Sequence, residues 1–295
     1  ESDAEGEGRR VIPSTFEYTR AGSVEEALRL LEEAGGEAKL LAGGHSLLPM
    51  MKMRLTSPGK LIDIGQLGEL RGIRREGDRL VVGALTTHRQ VASDSLVREH
   101  IPVLAEAAAR IGDLQVRNRG TVGGNLAHAD PASDLPAVAF ALEAELEVQS
   151  PDGKQTFSAD EFFLGPLITA LPENGLLTSV SFALPPEGAK STYVKYLHPA
   201  SGYAVVGVAA VVGTGEDGTV NFARIGVTGA SDTAYRAEEV EQALLGKKLT
   251  EEVIREAAAL VAEGREMNED LFASGDYRRH LLQVYTARAL RKLSD

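Results

Sequence analysis

The sequence predicts an α+β fold in two domains, and three observations carry that expectation. Strand-like and helix-like segments intermix through the first part of the chain, whereas beyond about residue 178 strands come first and helices last. Double-glycine motifs follow extended segments at two places, as where a backbone must pass close to a ligand. The 295 residues also suffice for two domains with substantial cores. The expected division is 1–177 and 178–295.

Taken in order, Ser23-Val24-Glu25-Glu26 reads as a capping box opening a helix over Val24 to Ala34, with Val24, Ala27, Leu28, Leu30 and Leu31 on one face. Gly35-Gly36 ends it. The apolar run Lys39 to Ala42 leads into Gly43-Gly44, and a helix over Leu47 to Leu55 follows, with Pro49 in its first turn. Such a strand, glycine turn and helix start aims backbone donors at phosphate. Lys60–Ile64, Gly72–Arg75 and Arg79–Ala84 read as strands, the last two joined at Glu76-Gly77-Asp78. Thr86 or Thr87 should cap a short helix to about Ala92, and Pro102 to Ile111 forms another. A second glycine loop follows Gly120, then a helix over Ser133 to Ala141 and a hairpin, Ala144–Ser150 with Lys154–Phe157. Four consecutive strands are expected at 176–184, 191–196, 203–212 and 219–227, then helices Ala237–Leu245, Glu251–Glu263 and Tyr277–Leu293.

Composition narrows the function. A net charge of −12 argues against a nucleic-acid or anionic-membrane surface. The longest apolar stretch, around Ala204 to Gly213, falls short of the ~20 residues a membrane span needs. Glu1 to Arg10 is acidic, expected to be loose, and lacks a signal-peptide pattern. With no cysteine, the chain carries neither disulfides nor thiolate-held iron–sulfur clusters, and a cytoplasmic location is expected. The six histidines have no metal-binding spacing, so no metal site is expected. Neither a nucleophile elbow, nor a P-loop, nor a dinucleotide Gly-x-Gly-x-x-Gly is present, and His45-Ser46 adjacency supplies no triad geometry.

What remains is Ala42-Gly43-Gly44-His45-Ser46 and, about eighty residues on, Thr121-Val122-Gly123-Gly124-Asn125. Successive N–H groups in such turns form a concave anion site, although a single double-glycine loop is more often a plain tight turn. Asp130 and Asp134 read either as a carboxylate pair or as a helix start capped by Ser133 with Asp134 in its first turn. Arg117 and Arg119 flank the second loop as positional or solvated charges, and Tyr203 opens an apolar strand where an aromatic usually packs. The two loops with Asp134 and Tyr203 together point to a bound dinucleotide.

The stretches Leu41 to Lys52 and Gln115 to Pro131 closely resemble the medium, FAD-binding subunits of the molybdenum hydroxylases, nearest the carbon monoxide dehydrogenase branch; the resemblance runs from Ile12-Pro13 through the C-terminal helices. It implies a vanillyl-alcohol-oxidase-like FAD domain of two subdomains, about 11–57 and 58–177, and a smaller α+β domain after it. It further implies that Ala42, Gly43, Gly44, His45 and Ser46, with Thr121, Val122, Gly123, Gly124 and Asn125, hold the FAD pyrophosphate and adjoining sugar. Asp134 would contact FAD, Lys195 would approach the flavin, Tyr203 would cover one ring face, and Leu176 or Leu177 would add a backbone contact. The implied partners are a small subunit with two [2Fe–2S] clusters and a large molybdopterin subunit, in a dimer of heterotrimers, a heterohexamer. That assembly would be cytoplasmic or peripheral at the membrane's cytoplasmic face, passing electrons through FAD to an acceptor such as quinone, with carbon monoxide as the substrate expected for the large subunit. A stand-alone flavin oxidoreductase is the alternative, with His45, His128 or Asp130 as its base.

Overall fold

The computed structural model describes residues 12–294, so the expected looseness of Glu1 to Arg10 lies outside the described residues. The chain begins with β1 (Glu17–Arg20), α1 (Val24–Glu33), β2 (Ala38–Leu41), α2 (Leu47–Lys52) and β3 (Lys60–Asp63). The strands make a parallel sheet in the order β1-β3-β2. Helix α1 forms on its predicted apolar stripe, with Ala27, Leu28 and Leu31 buried against Ile62 and Ile64, but with half of the expected capping box. The Glu26 N–H donates to the Ser23 hydroxyl at 3.1 Å, whereas the Glu26 carboxylate accepts from the Gly22 N–H at 2.7 Å and not from Ser23. Helix α2 stops earlier than expected, at Lys52, because Arg54 turns left-handed at φ 58°. Strand β1 escaped the sequence reading; its four residues are mostly exposed and carry no apolar alternation.

Next come β4 (Ile73–Glu76) and β5 (Arg79–Gly83), then six short helices: α3 (His88–Ser93), α4 (Ser95–His100), α5 (Pro102–Ala109), α6 (Leu114–Arg119), α7 (Val122–His128) and α8 (Leu135–Ala141). Thr87 rather than Thr86 caps α3, in a reciprocal box with Gln90. The run continues through β6 (Glu145–Ser150), β7 (Gly153–Ser158), α9 (Ala159–Phe162), β8 (Phe163–Gly165), β9 (Ile168–Thr169) and β10 (Leu176–Ala183). An antiparallel sheet runs β4-β5-β10-β6-β7. Strand β10 was expected to begin the run of four C-terminal strands. It instead inserts between β5 and β6, with Val180 opposite Val82 and Leu146, and buries Val180 and Phe182 under the helices. Strand partners are non-local, and sequence order alone did not reveal this one.

The remaining strands, β11 (Lys190–Leu197), β12 (Ala204–Thr214), β13 (Val220–Thr228) and β14 (Tyr235–Arg236), pair antiparallel in that order, and α10 (Glu238–Leu244), α11 (Glu251–Ala259) and α12 (Gly275–Ser294) follow. The long apolar run of β12 is explained by burial on both faces. Val206, Val208, Ala210 and Val212 meet the C-terminal helices, while Ala209 and Val211 join the core formed by α3 to α8. Among the described residues no helix is long and apolar enough to cross a membrane.

Candidate functional site

Both glycine motifs, far apart in sequence, meet at one cavity of about 510 Å³, a size typical of ligand sites. Its wall includes Ala42, Gly43, Gly44, His45 and Ser46 from the β2–α2 turn, and Thr121, Gly123, Gly124 and Asn125 from the second motif. The two motifs touch. A Cβ on Gly43 would overlap the Arg119 carbonyl oxygen, and one on Gly124 would stand 3.9 Å from the Ala42 Cβ.

The motifs are nevertheless built differently. In the first, the His45 ring bonds the Gly43 carbonyl through Nδ1 at 3.0 Å. No partner takes the backbone N–H groups of Gly43, Gly44, His45 or Ser46 among the described residues. Four consecutive unpaired donors on a cavity wall form the anion nest that the motif predicts. The second motif is not a loop: it is the start of α7. Thr121 caps that helix and accepts from the Gly124 N–H at 3.1 Å, while the Gly123 N–H donates to Ala84 O at 2.8 Å. Gly123 is glycine for packing, since a Cβ there would sit 2.5 Å from the Ala84 Cβ. Val122 is fully buried and faces away from the cavity. The groups left to face a ligand are the polar side chains, chiefly Thr121 and Asn125. The Ser133 hydroxyl donates to the Asn125 side-chain oxygen at 2.6 Å, so Ser133 orients Asn125 and does not cap α8.

Asp134 begins α8 without capping it. Its carboxylate is buried, accepting from the Tyr193 hydroxyl at 2.6 Å and from the Lys195 ammonium at 2.9 Å. Burial raises the Asp134 pKa, while the Lys195 charge and the Tyr193 bond oppose the rise. Asp130 makes no carboxylate pair with it; it closes a turn onto the Ala132 N–H at 2.9 Å. Thr228 ties this segment down by donating to Ser133 O at 2.6 Å, and the Ala204 N–H adds a bond to Ala132 O at 3.1 Å. Tyr203 therefore sits beside Asp134 at the cavity. It is 40% exposed, not packed in a core, and precedes β12. Burial, with the charges of Asp130 and Asp134, raises its phenol pKa. Lys195 lies behind the wall and does not line it. Leu176 and Leu177 both do, as do His45 and His128. Arg117 is positional, donating to Ile111 O and Gly112 O at 3.0 and 2.9 Å.

Sequence reading missed His88. It lines the cavity, is 2% exposed, and has a buried Nδ1 without a hydrogen-bond partner. Burial chiefly, then the charges of His45 and Arg117, lowers its pKa to about 4, so it is neutral near pH 7. Its only sequence signal is its place directly after the capping Thr87.

The cradle fits a diphosphate. It combines unpaired N–H donors, side-chain amide and hydroxyl groups and the Tyr203 ring, and the lining carboxylate of Asp134 is committed to Tyr193 and Lys195.

Comparison with known proteins agrees. Residues 14–185 match the family described as FAD binding domain in molybdopterin dehydrogenase, and residues 191–293 match the CO dehydrogenase flavoprotein C-terminal domain. The chain is 43% identical to the carbon monoxide dehydrogenase medium chain of Hydrogenophaga pseudoflava, over 95% of this chain and 97% of that one. It is 35% identical to subunit alpha of the 6-hydroxypseudooxynicotine dehydrogenase complex of Paenarthrobacter nicotinovorans, covering 95% of both. A solved structure of the Hydrogenophaga enzyme, lacking the Mo-pyranopterin moiety, superposes with a TM-score of 0.92 at 44% identity, covering 96% of this chain and 98% of that chain. The chain therefore belongs to the FAD-binding medium subunits of the molybdenum hydroxylase family, close to those of carbon monoxide dehydrogenase.

Proposed function

We propose that this chain holds FAD across the cavity, with the diphosphate on the N–H groups of Gly43 to Ser46, and works as the electron-transfer subunit of a molybdenum hydroxylase. The observation that carries this reading is the row of four unpaired donors on the wall of a cavity shared by both motifs. Ala42 shapes the approach to the nest, Thr121 and Asn125 face the adjoining sugar, and Tyr203 covers the flavin ring. Asp134 lines the cavity beside them with its oxygens committed to Tyr193 and Lys195. His88 contributes a neutral imidazole to the wall. The domain boundary we place between β10 and β11, since β10 belongs to the sheet of the first domain.

Bound there, FAD would accept electrons singly and pass them on singly or in pairs, which links one-electron carriers to a two-electron acceptor. The residues of this chain bind and orient it. Having no cysteine, the chain depends on a partner for iron–sulfur clusters. We place two [2Fe–2S] clusters on a small subunit and molybdopterin on a large one, in a dimer of heterotrimers delivering electrons to a quinone. Carbon monoxide is the proposed substrate, on the strength of the resemblance to carbon monoxide dehydrogenase; the choice belongs to the large subunit, because a relative named for 6-hydroxypseudooxynicotine is also 35% identical.

Gly124→Val tests the cofactor site in the assembled complex. The added side chain would press on the Thr121 hydroxyl and close the gap toward Ala42. Charge-assisted N–H bonds to phosphate contribute about 1.5–3 kcal/mol each, so displacing two weakens FAD by orders of magnitude. The variant should purify with wild-type iron and molybdenum but without flavin absorbance. Full flavin absorbance would overturn the assignment.

A further inference from the structure

Lys195 is a buried cation that the proposed cofactor site leaves unused. It lies two residues after Tyr193 on β11, so strand alternation puts both side chains on one face. Its ammonium has three donors and three acceptor groups: Arg110 O at 2.8 Å, Gly202 O at 2.8 Å and the Asp134 carboxylate at 2.9 Å. No donor is left for a ligand. Arg110 ends α5, and Lys195 satisfies its otherwise unpaired carbonyl. Gly202 directly precedes Tyr203 in a tight turn, in which the His198 N–H donates to Tyr203 O and the Gly202 N–H to His198 O, both at 2.8 Å. Behind the ammonium, the Tyr193 hydroxyl bonds Asp134 at 2.6 Å. Across the sheet, Gly207 stands opposite Lys195, and a Cβ there would collide with the Tyr193 hydroxyl.

We propose that Lys195, braced by Asp134 and Tyr193, is a positioning residue that clamps the His198–Tyr203 turn to the end of α5 and so fixes Tyr203 at the cavity. The clamp exists in the chain itself; only its consequence for the flavin rests on the cofactor reading. Its acceptors come from three separate segments, so losing it frees the turn without removing any group from the nest.

The test is hydrogen–deuterium exchange on the full-length chain, with flavin fluorescence on the assembled complex. The double variant K195M/D134N removes both buried charges and leaves neither uncompensated; Y193F removes only the brace. In the double variant the His198 and Gly202 amides should exchange at least about tenfold faster, as losing a charge-assisted bond implies. Amides of β12 and of Gly43 to Ser46 should keep their wild-type rates. The fluorescence of each bound FAD should rise, because a displaced phenol no longer quenches the ring. Y193F should shift both readouts the same way by less. Unchanged exchange at His198 and Gly202 would overturn the clamp. Loss of FAD with an unchanged turn would also overturn it, by putting Lys195 on the cofactor, and faster exchange throughout β12 would reduce it to general core support. A wild-type complex without FAD would sink the cofactor reading while the exchange result still judged the clamp.

Discussion

Held neutral in the cavity wall, His88 makes part of the stability of the protein depend on pH. Its pKa falls from 6.5 to about 4 on folding, so between those values the unfolded chain binds a proton that the native chain does not. The stabilising contribution of neutral His88 is complete above pH 6.5 and is lost as pH falls toward 4, about 3 kcal/mol in total. His88→Gln should therefore flatten the decline of unfolding free energy across that interval, measured by urea unfolding at several pH values. An unchanged slope would show that His88 does not titrate as its burial demands. Tyr203 offers a second residue-scale test. Tyr203→Ala should retain FAD, since the nest is intact, but change the flavin's redox potential or its reactivity toward oxygen. If neither changes, Tyr203 does not cover the ring.

Between elements, one carboxylate joins three of them. Glu106 on α5 accepts from the Tyr193 N–H and the Thr192 hydroxyl at 2.8 Å, both on β11, and from Lys292 on α12 at 3.0 Å. Burial opposes ionisation there, but these donors hold the Glu106 pKa below its ordinary value. Glu106→Ala should destabilise the chain by about 2 kcal/mol, a modest figure because Lys292 is half-exposed and its charge screened. The contribution is present above the ordinary carboxylate pKa and fades as pH falls, so the variant and wild type should converge in acid. Thermal unfolding of both at neutral and acid pH checks the sign. Which elements were legible in sequence follows from the range of the forces that make them. Helix α1 depends on Ser23, Glu26 and one apolar stripe, all within ten residues, and it forms as expected. The partners of β10, and the packing role of Gly123 against Ala84, depend on residues far along the chain, and local pattern does not encode them. At the site, the first glycine turn stood out against its apolar neighbours, whereas the places of Asn125 and Tyr203 on the cavity wall came from the resemblance, since an aromatic opening an apolar strand usually packs. The destination of Lys195 was not, because a lone lysine in a strand gives no sign of which carbonyls it will meet.

For the whole molecule, β12 explains why the C-terminal sheet cannot be peeled from the first domain without exposing core. Its two faces supply both cores, and the turn before it carries Tyr203 to the cavity. A site assembled from both parts of the chain should lose FAD when either part is disordered. Coexpression with the neighbouring subunits should accordingly yield a complex with one FAD for each copy of this chain, the metals residing on the other polypeptides. Activity from this chain alone on a small substrate would instead favour the stand-alone oxidoreductase. The most direct measurement is a structure of the FAD-loaded complex. It should place the diphosphate oxygens within about 3 Å of the backbone nitrogens between Gly43 and Ser46. A diphosphate bound elsewhere, with those nitrogens still bare, would contradict the account.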